Sequence, residues 1–124
     1  MKNYDVIIIG GGPSGLVASK LLVAFGKNVA IVESNKLGGD CTHTGCIPSK
    51  TLLKAAQAVH ETKNLQKYGI EVQNLKLDTS KVLLHVKSVV DEIYSHETPT
   101  IFKEAGVDVI EGFATFENQN SILV

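Results

Sequence analysis

The fold is decided by the stretch Val6-Ile7-Ile8-Ile9-Gly10-Gly11-Gly12-Pro13-Ser14-Gly15. Residues 6–9 are all apolar and β-branched, which is typical of a parallel strand that is buried on both faces. The glycine spacing G-x-G-x-x-G follows at once and predicts a tight turn over residues 10–15. Strand and turn together predict the start of an α/β unit.

The residues after the turn complete that unit. Apolar side chains recur at helical spacing up to Gly26, in the set Leu16, Val17, Leu21, Leu22 and Phe25. Residues 29–32 form a second short apolar run, which ends at Glu33. This order is a β-α-β unit of about 30 residues, the size that two parallel strands and one crossover helix need.

Each glycine of the turn has a physical task if the unit binds a dinucleotide. Gly10 permits the sharp turn, Gly12 lets the backbone approach a pyrophosphate, and Gly15 lets the helix pack close to the sheet. The helix N-terminus offers free N–H groups to phosphates. Glu33 is placed to accept hydrogen bonds from a ribose diol, and its charge argues against NADP. The unit contacts only the ADP half of a dinucleotide, which FAD and NAD share. An FAD site, an NAD site and a purely structural turn therefore all stay open.

Composition and charge exclude several classes of protein. The chain of 124 residues is 44% hydrophobic and 20% charged, and its net charge is -1. These values fit one small globular domain and predict neither a nucleic acid nor a membrane as partner. Only two cysteines are present, which excludes a secreted disulfide-rich scaffold and predicts a cytoplasmic protein.

The two cysteines lie in a glycine-containing segment, predicted as a loop, that runs from Leu37 to Ser49. Cys41 and Cys46 are too close in sequence for a disulfide to gain much chain entropy, so chemistry is the better reason for pairing them. Pro48 places Cys46 in a first helical turn. A thiol at a helix N-terminus has a lowered pKa, and Lys50 adds a cation nearby.

Two other interpretations of these cysteines stay open at this point. His43 lies between the thiols and could complete a three-ligand metal set, but the C-x-x-C spacing and a fourth ligand are missing, so we expect no metal site. The cysteines could also be inert structural residues, although glycine-rich surroundings differ from those of a buried inert cysteine. An exposed loop position is the ordinary expectation for His43 itself.

The middle of the chain predicts two long helices. The first runs from about residue 46 to 66 and stops at Tyr68-Gly69. The second follows Asp78, whose side chain is a suitable N-cap. Apolar residues of this second helix fall at helical spacing, namely Val82, Val86, Val89 and Ile93. Pro99 should kink or break it.

Residues 107–110 predict a third strand, which returns to the parallel sheet, and residues 113–116 are interpreted as the start of another strand. The fold class is therefore α/β, with a parallel sheet and an inserted pair of long helices. The last residues, 122–124, are an apolar run. Natural domains seldom end in one, so we expect the domain to be incomplete at its C-terminus.

A resemblance to a known family adds to this interpretation. Residues 38–50 match the pattern G-G-x-C-x-x-x-G-C-x-P-S-K. Together with the glycine fingerprint, this segment resembles the flavin-dependent disulfide reductases, or class I pyridine nucleotide-disulfide oxidoreductases. That family includes dihydrolipoamide dehydrogenase, glutathione reductase and mercuric reductase. The resemblance covers essentially the whole chain and implies that residues 1–124 are the N-terminal part of a Rossmann-like FAD-binding domain.

The resemblance also implies a set of cofactor-binding residues. Glu33 would bind the adenosine ribose, Lys50 would lie near the flavin ring, and the stretch after the third strand would pass beside the adenine. The full set is Gly10, Gly12, Pro13, Ser14, Gly15, Glu33, Ser34, Gly39, Asp40, Cys41, Gly45, Cys46, Lys50, Phe113 and Ala114. The family commonly has Thr in place of Asp40 and Asn in place of His43, which puts the usual hydroxyl contact at residue 40 in doubt.

By the same resemblance, NAD(P)H reduces FAD, and FAD reduces a Cys41–Cys46 disulfide. Cys46 would contact the flavin and Cys41 would exchange with a small-molecule disulfide or a metal-ion substrate. Family members are homodimers that carry separate NAD(P) and dimerisation domains. Since neither domain is in these residues, we expect this chain alone to be inactive. Alternatives are a stand-alone FAD or redox module that acts with another chain, and an NAD-binding domain with incidental cysteines.

Overall fold

The computed structural model describes residues 2–124. A three-stranded sheet, five α-helices and a small two-stranded sheet make up this part of the chain. In chain order they are β1 (Val6–Ile9), α1 (Pro13–Ala24), β2 (Val29–Glu33), α2 (Gly39–His43), α3 (Cys46–Thr62), α4 (Thr79–Ser95), α5 (Pro99–Glu104), β3 (Val107–Glu111), β4 (Thr115–Asn118) and β5 (Ser121–Leu123).

The main sheet has the order β1-β2-β3, and both of its strand pairs are parallel. The central strand β2 is fully covered, because four of its five residues are buried. Glu33 at the end of β2 pairs in register with Glu111 at the end of β3. The predicted α/β class with a parallel sheet is therefore confirmed, and the carboxyl ends of β2 and β3 lie side by side.

The core lies between this sheet and the helices α1 and α5. Its buried apolar side chains are Leu16, Ile31, Leu37, Phe102, Val107 and Val109. Helix α1 can approach the sheet closely because its first turn carries Gly15, which is buried against β1. Apolar burial on this scale is the main stabilising contribution, at about 25 cal/mol for each Å² removed from water.

The predicted helical pair is present as α3 and α4, which pack on each other and contact the rest of the chain mainly through α2. The Asp78 side chain caps α4 by accepting hydrogen bonds from the N–H groups of Ser80 and Lys81, at 3.1 and 3.2 Å. Helix α3 ends at Thr62, earlier than predicted, and a 3₁₀ turn carries the chain on to the left-handed Gly69. Neither helix has a buried residue.

Three short elements differ from the sequence prediction. The segment from Leu37 was predicted as a loop, but Gly39–His43 form the helix α2. Helix α4 already ends at Ser95, so Pro99 does not break it as predicted; Pro99 instead begins a new helix, α5, because proline suits a first helical turn. The strand expected from residue 113 starts at Thr115 and pairs antiparallel with β5. None of the helices within residues 2–124 combines the length and the apolarity that crossing a bilayer requires.

Asp108 on β3 ties the N-terminal segment to the sheet. Its carboxylate accepts hydrogen bonds from the Tyr4 hydroxyl and from Lys2 Nζ, the latter at 2.9 Å. These two hydrogen bonds, Tyr4 first, hold the pKa of Asp108 below its ordinary value. A lowered pKa stabilises the fold above the ordinary carboxyl pKa, and this stability is lost as the pH falls through the lower folded-state value.

We expect Asp108→Asn to lower the free energy of unfolding by less than about 1 kcal/mol at pH 7, because the ion pair is largely exposed. The difference from wild type should narrow as the pH falls below about 4. Urea unfolding at pH 7 and pH 3 measures both values. The exposed Asp91 on α4 is the control, and an equal loss for Asp91→Asn would contradict the assignment.

Candidate functional site

The glycine turn leads directly from β1 into α1. Gly10 has a φ of +98°, a left-handed conformation that favours glycine. A Cβ on Gly15 would lie 2.2 Å from the Gly10 carbonyl oxygen, so only glycine fits where the helix crosses the turn. A Cβ on Gly12 would meet nothing within 4 Å. The Gly12 side of the turn is therefore open to a ligand, whereas the Gly15 side is closed by the protein.

Helix α1 begins at this open side. Pro13 is in its first turn, and no side chain caps the helix at Gly12. The first N–H groups of a helix have no acceptor within it, so that of Ser14 is free to donate. Ser14 is also exposed. These are the conditions under which a helix N-terminus binds a phosphate.

The Glu33 carboxylate connects the end of β2 to the glycine turn. Its Oε2 accepts a hydrogen bond from the Gly11 N–H at 2.6 Å, and its Oε1 accepts one from the Asn35 N–H at 2.8 Å. Each oxygen keeps a second lone pair, because a carboxylate can accept about four hydrogen bonds. Glu33 is thus held in place by backbone donors and can still accept from a diol.

A groove with a cavity volume of about 110 Å³ opens at the carboxyl ends of the three parallel strands. Its lining combines residues from all three strand ends: Ile9, Gly10, Val32, Glu33, Ser34, Gly112, Phe113 and Ala114. Ligands of open parallel sheets bind at this edge. The structure therefore brings five of the predicted residues together, although they lie far apart in sequence.

A second cavity of about 450 Å³ shares Glu33 and Ser34 with this groove and is lined on its other side by residues of α2. Its remaining lining residues are polar or small, namely Asn35, Lys36, Gly39, Asp40, His43 and Thr44. Asp40 is exposed beside it. A carboxylate at this position would repel a phosphate placed in the same cavity.

The cysteine segment packs directly on the glycine turn. The Gly38 N–H donates a hydrogen bond to the Gly11 carbonyl oxygen at 2.8 Å. A Cβ on Gly39 would lie 3.0 Å from Gly12 Cα. Gly38 and Gly39 both have positive φ angles, +95° and +57°. The two glycine-rich segments predicted for the cofactor and for the redox chemistry are therefore in contact.

Cys41 lies in α2 and Cys46 is the first residue of α3, and both are free thiols. A Cβ on Gly45 would lie 2.8 Å from the Asp40 carbonyl oxygen, so a glycine makes the tight bend between the two helices possible. A hydrogen bond with Cys46, some desolvation and the charge of Cys46 raise the pKa of Cys41, and Lys50 opposes this increase. Cys41 and Cys46 thus lie in two successive helices that contact each other.

The interpretation of His43 as an exposed loop residue is wrong. His43 is half-buried in α2, where its Nε2–H donates a hydrogen bond to the Leu37 carbonyl oxygen at 2.9 Å. Its ring meets that of Tyr94 edge to face, with centroids 5.0 Å apart. Both partners belong to the scaffold, so His43 anchors α2. Within residues 2–124, no three His, Cys, Asp or Glu side chains are grouped as a metal site would require.

Lys50 is exposed in the first turns of α3, one turn after Cys46.

Two residues that matter for the geometry were not predicted from the sequence, Thr42 and Glu97. The Thr42 hydroxyl in α2 donates a hydrogen bond to the Glu97 carboxylate, which follows α4. Only Thr42 had a signal in the sequence, because it lies between the candidate site residues Cys41 and His43. Glu97 had none, since it is distant in sequence and follows an ordinary helix end.

Comparisons with known proteins agree on one family. A family model described as pyridine nucleotide-disulphide oxidoreductase matches residues 4–122. A dihydrolipoyl dehydrogenase from Acholeplasma laidlawii is 36% identical over 124 residues, which are 99% of this chain and 37% of that protein. A mercuric reductase from Lysinibacillus sphaericus is 29% identical over 122 residues, which are 98% of this chain and 22% of that protein.

A solved structure gives the same result. It is described as a Cu(II) complex of the HOCl-induced flavoprotein disulfide reductase RclA from Escherichia coli, and it superimposes with a TM-score of 0.70 at 28% identity. The superposition covers 95% of this chain and 24% of that chain. The chain therefore spans between about a quarter and just over a third of the length of these relatives.

We expect Gly15→Ala to lower the free energy of unfolding by about 1–3 kcal/mol, because its methyl group must displace a backbone oxygen. Gly12→Ala should stay within about 1 kcal/mol of wild type, since its methyl group enters open space. Urea unfolding compares the two substitutions in the same turn. Equal destabilisation by both would contradict the view that only one side of the turn is closed.

The raised pKa of Cys41 predicts how the reduced chain reacts with iodoacetamide. Only a thiolate is alkylated, so the rate at Cys41 should rise at a higher pH than it does for an ordinary cysteine. Cys46→Ser removes the main cause and should move the Cys41 profile to lower pH. Peptide mass spectrometry gives the initial rate at each site. Identical Cys41 profiles in the two proteins would contradict the contact.

Proposed function

We propose, from the premise that this chain belongs to the pyridine nucleotide-disulphide oxidoreductase family, that it forms the FAD-binding part of an FAD-dependent disulfide reductase. In the whole protein, electrons would pass from NAD(P)H through FAD to a Cys41–Cys46 disulfide and then to the substrate. The Cys41 and Cys46 positions match the family pattern. The chain covers only part of its relatives, so the activity is a proposal for the whole protein.

One observation carries this proposal: the predicted nucleotide turn and the predicted redox segment share a contact. The Gly38 N–H donates to the Gly11 carbonyl oxygen at 2.8 Å. A dinucleotide on the open side of Gly12 would therefore lie beside the segment that carries Cys41. This proximity suits a cofactor that must reach a cysteine pair, and a site for NAD with incidental cysteines has no need of it.

The residues present fit the cofactor. Gly12 and the start of α1 offer an open backbone and free N–H groups to a pyrophosphate, and Glu33 offers acceptors to a ribose diol. Phe113, which is 79% exposed beside Ala114, leaves an apolar ring free to cover the adenine. When bound, the flavin supplies two-electron transfer between the nicotinamide and a disulfide.

The cysteines of this chain would carry out thiol–disulfide exchange. Cys41, as a thiolate, attacks one sulfur of a substrate disulfide and releases the other as a thiolate. Cys46 then attacks the Cys41 sulfur, so a Cys41–Cys46 bond forms and the second substrate thiolate leaves. The interaction with Cys46 raises the pKa of Cys41, so a base that accepts the Cys41 proton would assist this attack.

By the family resemblance, such a base would come from a His/Glu pair that the dimerisation domain supplies to the active site of the partner subunit. We therefore propose a homodimer for the whole protein and slow disulfide exchange, without NAD(P)H turnover, for the 124-residue chain alone. The named relatives reduce or oxidise small molecules or a metal ion. The substrate proposed here is accordingly a small disulfide or a metal ion, in a reducing compartment such as the cytoplasm.

A second candidate is a stand-alone FAD or redox module that delivers its cysteine pair to another chain. The contact between the two glycine segments supports this candidate equally, because it depends on residues of this chain only. The two candidates differ in what the surrounding protein supplies. Both require the same cofactor site, which is therefore the first property to test.

We expect Glu33→Gln to weaken FAD binding by about tenfold, because a charged acceptor for the ribose is lost. Glu111→Gln is the matched control, since Glu111 is the register partner of Glu33 at the end of β3 and is exposed. Isothermal titration of the 124-residue chain with FAD measures both, and urea unfolding checks that the variants fold. Equal affinities of the two variants would reject the assignment, and binding of NAD without FAD would favour an NAD site.

A further inference from the structure

Helix α2, which carries Cys41, has little stability of its own. It consists of five residues, and its N-cap Gly38 is left-handed and offers no side-chain cap. A helix this short is unstable in isolation, because nucleation costs more than one or two hydrogen bonds return. Its orientation, and that of Cys41, must therefore come from contacts with the rest of the protein.

One such contact joins α2 to Glu97, two residues after the end of α4. Thr42 is 2% exposed, and its hydroxyl donates a hydrogen bond to Glu97 Oε2 at 2.8 Å. This bond spans 55 residues of sequence, so it fixes α2 relative to a distant part of the chain. A buried hydroxyl that loses its partner is costly, which makes the pair hard to replace.

Glycine at position 38 makes room for this pair. A Cβ on Gly38 would lie 2.5 Å from Glu97 Oε2 and 2.7 Å from Thr42 Oγ1. The backbone at the start of α2 thus lies directly against the hydrogen bond. The neighbouring His43 adds a second tie, through its contact with Tyr94 near the end of α4. Two successive residues of α2 are therefore held by the same region of the chain.

We propose that Glu97 is a positioning residue for the redox pair, because its hydrogen bond with the buried Thr42 holds α2 in the orientation that brings Cys41 to Cys46. This inference rests on the proposed function, since it assumes that the two cysteines form a disulfide. Glu97 acts through Thr42, whose hydroxyl donates to its carboxylate. Nothing in the family pattern at residues 38–50 includes it.

The reason for an effect on the thiols is entropic. In the disulfide form the S–S bond itself fixes α2 relative to α3. In the dithiol form the orientation of α2 depends on noncovalent contacts. One of them is the Thr42–Glu97 hydrogen bond, whose donor is buried and whose acceptor follows α4, the helix that packs on α3. Loss of this bond raises the conformational entropy of the dithiol form more than that of the disulfide form, so disulfide formation becomes less favourable.

The test is the equilibrium of the 124-residue chain with glutathione. Cys41 and Cys46 lose two electrons and two protons as their S–S bond forms, and one glutathione disulfide is reduced to two thiols. We expect Thr42→Val to lower this equilibrium constant about fivefold, the effect of one hydrogen bond. Thr42→Ser, which keeps the hydroxyl, should restore the wild-type value. Glu97→Ala should match Thr42→Val, and the double variant should add little.

Thr44→Val is the matched control, because Thr44 is exposed at the other end of α2 and its hydroxyl lies 3.4 Å from the Asp40 carbonyl oxygen. Its constant should equal that of wild type. If Thr42→Val and Glu97→Ala leave the constant unchanged while the wild-type disulfide forms, this inference alone is overturned. If wild-type Cys41 and Cys46 never pair, the proposed function fails. Should Glu97→Ala not fold, the comparison of Thr42→Val with Thr42→Ser still decides.

Discussion

The hydrogen bond from the Gly38 N–H to the Gly11 carbonyl oxygen is the contact on which the site depends. It joins the turn after β1 to the segment that carries Cys41, and glycines on both sides let the two backbones meet. Glu33 strengthens the same junction, since its carboxylate accepts from the Gly11 N–H. The groove at the carboxyl ends of the parallel strands and the segment that leads into α2 both adjoin this junction.

The sequence predicted the elements whose signals are local. The β-branched run at 6–9, the glycine spacing and the Asp78 cap each gave a feature that the structure contains. These predictions succeeded because backbone geometry alone decides them.

The features that were missed depend on contacts between distant residues. Helix α2 is too short to show a periodic pattern, and its stability comes from Thr42 and Glu97 rather than from helix propensity. His43 was misplaced for the same reason, since only the fold brings Tyr94 and the Leu37 carbonyl group next to it. The early end of α3 at Thr62 has no strong stop signal in the sequence, because the left-handed glycine follows only after a 3₁₀ turn.

The chain is built of two parts that differ in how they are stabilised. The sheet with α1 and α5 has a buried apolar core, whereas α3 and α4 have no buried residue and depend on each other and on α2. Local opening is easiest where few apolar contacts are buried. The two cysteines lie in α2 and at the start of α3, in the part of the chain that lacks a buried apolar core of its own.

The place of Cys46 at the first residue of α3 has a mechanical consequence. The helix has 17 residues and is about 25 Å long. In a rigid rotation of α3 about its first residue, the Cys46 sulfur lies close to the centre of rotation. A displacement of about 2 Å at the far end corresponds to a rotation of about 5° and moves an atom near the pivot by only a few tenths of an ångström. Such a rotation therefore moves the Cys46 sulfur much less than it moves the C-terminal end of α3.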